Sequence, residues 1–265
     1  MRPRVNLEDF KIDFNFDLRR LELMITQYSL KTLKEDYKMG LSPRLIIAAI
    51  ALMLSFSQFS NAQDNSPAYM VTYIEVAPFS TEEVAQLLTT YAQSNGAADG
   101  NMHFQALQRI GRPSHFALIE TWRDEATRDT HANSVRAANF NESLEPFLYS
   151  PTDARPHGDL ATAAVTNTGP NGIFAVTHVD VTPTNTDIAV ELLNTLATAS
   201  RRDNGNARFD VLVQLNRRNH MTVVEAWQAP DAQETHYGAE HTKAFRTSLF
   251  PLSGALYDER LYRSL

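Results

Sequence analysis

Residues Tyr69–Val76 and Phe174–Val181 are β-branched and alternate apolar with polar positions, the period of a half-buried β-strand. Pro78 and Pro183 stop both runs, and Ser80 with Glu83 has the spacing of a capping box. Val84, Leu87, Leu88 and Tyr91 then fall at helical spacing, as do Ile188, Leu192, Leu193 and Leu196. Gly100 and Gly205 end the connections to second strands at Met102–Ile110 and Arg208–Leu215. Tight turns at 111–114 and 216–219 lead into third strands at His115–Trp122 and His220–Trp227. Second helices are expected near 125–138 and 230–245, each followed by a short helical turn reaching Pro146 or Pro251. A last strand is expected at Ala255–Arg263, and its earlier counterpart is weak because Pro151 and Pro156 interrupt it.

The two sets of elements are one pattern repeated at a shift of 105 positions. Glu120-Thr-Trp122 recurs as Glu225-Ala-Trp227, Gly100-Asn101 as Gly205-Asn206, Phe104 as Phe209, His131 as His236, Phe140 as Phe245 and Pro146 as Pro251. About two dozen identities without a gap mark a tandem duplication, and the period is too long for a solenoid unit. Each copy reads β-α-β-β-α-β, the split βαβ or ferredoxin-like plan of the α+β class. Such a sheet carries helices on one face only, so its other apolar face needs a cover. Two copies in one chain supply it, and an intrachain dimeric α+β barrel is expected. The expected divisions are domain 1 at 63–149, a Pro/Gly-punctuated linker at 150–172 and domain 2 at 173–265.

The apolar run Leu45–Leu54 stands outside this pattern. It is shorter than the ~20 residues a permanent span needs. Arg44 precedes it, Ser60 and Ala62 follow it, and Met39 lies at the right distance to start a secretory signal peptide over 39–62. Residues 1–38 then read as a non-native extension. An uncleaved signal anchor is the alternative. Cleavage predicts a periplasmic or secreted protein without stable membrane insertion. The whole chain of 265 residues carries 24 Lys+Arg against 31 Asp+Glu, an acidic balance that argues against a nucleic-acid partner. It has no cysteine, which excludes disulfide frameworks, thiolate metal sites and cysteine nucleophiles.

Glu120-x-Trp122, an acidic turn, a helix bearing His131 and then Phe140, with the same set at Glu225, Trp227, His236 and Phe245, resembles the antibiotic biosynthesis monooxygenase (ABM) superfamily. The resemblance covers nearly all of 69–149 and 174–263. It implies the dimeric α+β barrel fold and, as one branch, cofactor-independent oxygenases acting with O₂ on quinol-like or polyketide-like aromatics. It leaves room for homo-oligomers. It also includes haem-degrading enzymes, which use an Asn on the first strand and a Trp and a His ten apart on the second helix. Here the first-strand candidates are Tyr73 and His178, that helix has no Trp, and Asn141 and Arg246 lie ten past the histidines, so haem degradation is not expected.

A deprotonated quinol can pass an electron to O₂ unaided, so such a site needs an aromatic wall, a proton carrier and polar donors, with no cofactor and no metal. Trp122, Trp227, His131 and His236 are the catalytic candidates. Tyr73, His178, Phe104, Phe209, Asn101 and Asn206 are the substrate-binding candidates. Trp122 and Trp227 also fit as core fillers. Thr127, His131, Val135 and Ala138 share one helical face, which would turn His131 inward, where it could instead serve only to bond a carboxylate such as Glu120. His115 and His220 read as exposed hairpin residues. His236 and His241 are five apart, which puts them on different helix faces and argues against a zinc site. A non-catalytic envelope protein, using the barrel for small-molecule binding or interaction, is the competing function.

Overall fold

The computed structural model describes residues 66–166 and 168–265. The expected signal peptide at 39–62 and extension at 1–38 lie outside them. The first copy comprises β1 (Ala68–Glu75), α1 (Thr81–Asn95), β2 (Asn101–Arg109), β3 (His115–Trp122), α2 (Glu125–Ala132), α3 (Val135–Leu144) and β4 (Asp153–Ala161). The second repeats the order with β5 (Ile173–Asp180), α4 (Thr186–Ser200), β6 (Asn206–Gln214), β7 (His220–Trp227), α5 (Pro230–Tyr237), α6 (Glu240–Leu249) and β8 (Asp258–Ser264).

The eight strands close into one barrel in the order β1-β3-β2-β8-β5-β7-β6-β4, every neighbouring pair antiparallel. Within a copy the order is the ferredoxin-like 4-1-3-2. Two seams join the copies: β2 to β8, where Arg109 faces Tyr262, and β4 to β6, where His157 faces Gln214. Among the described residues, closure leaves no strand of this sheet with an open edge. Strand alternation sends Tyr69, Val71, Leu107, Ile119, Phe174, Val176, Leu212, Val224 and Tyr262 into one core, that of the barrel interior. The alternate residues pack under the helices as two further cores, one per copy.

Four local expectations change. The fourth strand of the first copy is a full nine residues and occupies much of the expected linker. Pro156 is tolerated because its carbonyl accepts from Leu215 N–H on the β6 side, just beyond the last β4–β6 pair at His157 and Gln214. Its missing N–H would point to that same side, so the ring forfeits only the reciprocal bond at the very end of that ladder. Ser80 precedes α1 without a side-chain cap, and the capping box belongs to α2, where Thr127 N–H donates to Asp124 Oδ1 at 2.7 Å. The second helix of each copy is two helices. Ser134 caps α3, resetting the helical phase, so Val135 and Ala138 are exposed and Ala137, Phe140 and Leu144 face inward. In α4 the inward face is Ala189, Leu193, Leu196 and Ala197, and Ile188 is exposed.

Candidate functional site

The outer face of β1 and β3 and the inner faces of α1, α2 and α3 enclose a cavity of about 190 Å³ in the first copy. Ile74, Leu118, Phe140 and Leu144 form its apolar wall; Glu120, Arg128, His131 and Tyr91 supply its polar groups. Two backbone devices aim α2 at it. The Asp124–Thr127 box fixes where the helix begins, and Gly100, at φ 73°, lets the α1–β2 turn lie against Thr127 while its carbonyl accepts from Arg123 N–H at 2.8 Å.

Trp122 is fully buried behind the cavity. Its indole N–H donates to Glu120 Oε2 at 3.0 Å, and its rings stack on His131 at 4.5 Å between centroids. It thereby holds an acid and a base at one wall. The Glu120 carboxyl is buried, and desolvation pushes it up to about 7 despite the indole donor and the nearby Arg128 cation. Burial and then Arg136 hold His131 below the usual imidazole range, so it is neutral at pH 7. His131 Nε2 lies 3.0 Å from the Tyr91 hydroxyl. Burial raises that phenol to about 12, and Phe140 stacks on it at 3.7 Å.

The second copy keeps the frame and carries larger side chains on its wall. Trp227 N–H donates to Glu225 Oε2 at 2.9 Å, and Trp227 stacks on His236 at 4.6 Å. Burial pushes Glu225 up to about 8. Tyr257, Arg246 and Glu259 stand where the first copy has Thr152, Asn141 and Ala154. Arg246 pairs with Glu259 and covers the rings of Tyr237 and Tyr257 at 4.0 and 5.0 Å. A larger hollow nearby, lined by Arg246, Leu249 and residues 253–257, reaches neither Glu225 nor His236.

Of the expected site residues, Trp122, His131 and Phe104 come together in the first copy, and Trp227, His236 and Phe209 in the second. Tyr73 and His178 do not join them. Both lie on the opposite strand face, where the Arg155 guanidinium sits 5.0 Å from the Tyr73 ring and 3.3 Å from His178 Nδ1. Asn101 and Asn206 span the bulges that open β2 and β6, donating to the carbonyls of His103 and Arg208. His220 is buried against His178 rather than exposed. Arg128 and Tyr91 were not among the expected site residues; a cation one residue past the cap-box threonine and an aromatic on the inner helix face were their only traces.

Residues 67–143 and 172–248 each match the antibiotic biosynthesis monooxygenase family, ABM. The chain belongs to that family. A Bacillus subtilis (strain 168) protein named "Putative monooxygenase YcnE" is 27% identical over 81 residues, covering 31% of this chain and 85% of its own length. Two solved structures share the fold across both copies. One, a "Putative monooxygenase" of Fusobacterium nucleatum, has TM-score 0.70 at 14% identity over 76% of this chain and 94% of its own. The other, an anthrone oxidase-like protein, has TM-score 0.61 at 14% identity over 77% and 93%. Its ABM membership makes this chain a member of a monooxygenase family with a tandem, barrel-forming architecture.

Proposed function

We propose that the first copy is a monooxygenase site that uses O₂ on a single-ring quinol-like aromatic, and that the second copy is its non-catalytic partner. The carrying observation is the 190 Å³ cavity with Glu120, His131 and Arg128 on its wall, against a counterpart wall where Tyr257, Arg246 and Glu259 pack together in place of Thr152, Asn141 and Ala154. An engineered apolar cavity of ~150 Å³ holds benzene, so one aromatic ring matches the available volume and a three-ring anthrone exceeds it. The quinol supplies all four electrons: one oxygen atom enters the ring, the other leaves as water, and the product is a hydroxyquinone. Glu120, poised near neutrality, takes the proton from the quinol hydroxyl. Neutral His131, bonded to Tyr91, relays protons to the departing oxygen, and Arg128 offsets the phenolate charge. Oxygen uptake over a panel of hydroquinones should show one O₂ consumed per quinol, with a single ¹⁸O atom from ¹⁸O₂ in the product. No uptake with any of them would leave the fold as a binding module.

We also propose that the protein acts outside the cytoplasm, on the strength of the Leu45–Leu54 run and the Ser60/Ala62 pair. N-terminal sequencing of the envelope fraction should begin at Gln63, and recovery of an intact anchored chain would contradict cleavage.

A further inference from the structure

Three ligand-bearing side chains of the second copy converge away from the cavity, where α5 ends and α6 begins. His236 Nδ1 lies 2.7 Å from Asp203 Oδ2, and His241 Nε2 lies 3.0 Å from the same oxygen. One nitrogen of each ring and one carboxylate oxygen fall within 4.8 Å of one another. The spacing of five residues, which on an unbroken helix would part the two rings, works here because the chain turns at Gly238 and Ala239. The rings then sit 5.5 Å apart between centroids.

We propose that Asp203, His236 and His241 form a binding site for a divalent transition-metal ion, with zinc as the probe, through two imidazole nitrogens and one carboxylate oxygen. This donor set suits zinc, which takes imidazole at about 2.0–2.1 Å and carboxylate at about 2.0–2.2 Å. Ligand atoms of a tetrahedral site at those bond lengths stand roughly 3.3 Å apart. The observed 2.7 and 3.0 Å are shorter: His236 Nδ1 hydrogen-bonds Asp203 Oδ2, while His241 Nε2 is buried beside the same oxygen without a hydrogen bond, and an ion seated between the three atoms needs only a slight opening. The side chains of Asp203 and His241 are 25% and 28% exposed, so the cluster lies near the surface although His241 Nε2 itself is buried.

The surroundings are those of a metal ligand. The far nitrogen of His236, Nε2, faces Glu225 Oε2 at 3.7 Å, beyond hydrogen-bond reach but on the side to which a metal-bound ring would present its remaining N–H. Trp227 stacks on the same ring, and the Thr242 hydroxyl lies 3.4 Å from its Nδ1. The first copy cannot form this site: Ala98 stands for Asp203, and Arg136, a fixed cation, for His241. A second cluster, His178, Asp180 and His220, is a poorer candidate, because Arg155 lies 3.3 Å from His178 Nδ1 and Asp180 reaches the nitrogen of His220 that faces away from His178.

The test is calorimetric titration of the EDTA-stripped full chain with ZnCl₂, repeated with CoCl₂ to read the visible d–d bands of an imidazole-ligated ion. One equivalent should bind with micromolar or tighter affinity. His241→Ala and Asp203→Asn should each weaken binding about tenfold or more. His220→Ala should leave it unchanged. Near-UV circular dichroism of the variants checks that the two tryptophans keep their packing. No saturable zinc binding, or binding that survives both His241→Ala and Asp203→Asn in folded protein, would overturn the proposal and leave the three side chains as a hydrogen-bond cluster.

Discussion

Glu120 and Glu225 are the same buried acid twice, each bound by a tryptophan N–H two residues on, and each raised above the usual carboxylate range by desolvation, to about 7 and about 8. The native chain therefore keeps protons that the unfolded chain releases above about 4.5. Their contribution to stability is whole below that pH and is lost as pH rises through 7 and 8, at about 1.4 kcal/mol per pH unit for each group over that interval. Histidines work in the opposite direction. His103, His157 and His178 are lowered by burial to about 4, so stability gained from keeping them neutral grows between pH 4 and 6.5 and is constant above it. Urea midpoints should peak near pH 6.5 and fall toward pH 9. The Glu120→Gln/Glu225→Gln double variant, whose amides still accept the indole N–H, should flatten the alkaline limb. A wild-type midpoint that climbs steadily from pH 6 to 9 would contradict the burial of these acids.

The turn at Gly100 and Gly205 decides where α2 and α5 sit. Both glycines have positive φ, 73° and 80°, and a Cβ there would lie 2.6 Å from Thr127 and 2.7 Å from Ala232. Gly100→Ala combines a left-handed backbone with a clash against the first turn of α2, and should cost about 2–4 kcal/mol in chemical denaturation. An alanine variant as stable as wild type would mean the turn does not position the helix. Much of this was legible in the sequence: the repeated glycine marked the turn, and the 105-residue shift placed the same Trp and His at equivalent positions of both copies. The helix break was not. Thr127, His131, Val135 and Ala138 gave a continuous stripe; Ser134 caps α3 through Ala137 N–H, but the second copy breaks at the equivalent Ala239 with no side-chain cap, so no shared capping residue marks the break. His131 reached Trp122 although two of the residues that pointed it there face solvent. Nor could strand pattern tell that Tyr257 and Glu259, at the start of β8, meet Arg246 of α6, because the two elements come together only in the folded copy.

At the scale of the molecule, the duplication solves an edge problem as well as a face problem. A lone copy would expose β2 and β4 as free edges and uncover the apolar interior face of its sheet. Residues 64–166 expressed alone should give a homodimer or insoluble protein, read by light scattering; a stable monomer would contradict the shared barrel. Having two copies under one backbone also frees one of them. The first has a cavity beside Glu120 and His131, while the second sets larger side chains at the equivalent wall and gathers Asp203 and His241 around its histidine. The division of labour between copies is the central claim, and side-by-side oxygen uptake by His131→Ala and His236→Ala on a single-ring hydroquinone tests it most directly. The His131→Ala protein should lose on the order of 10²-fold in turnover, the scale of a missing acid–base group, and the His236→Ala protein should keep near wild-type turnover. Equal losses in both variants, or a loss confined to His236→Ala, would contradict the assignment of the chemistry to the first copy.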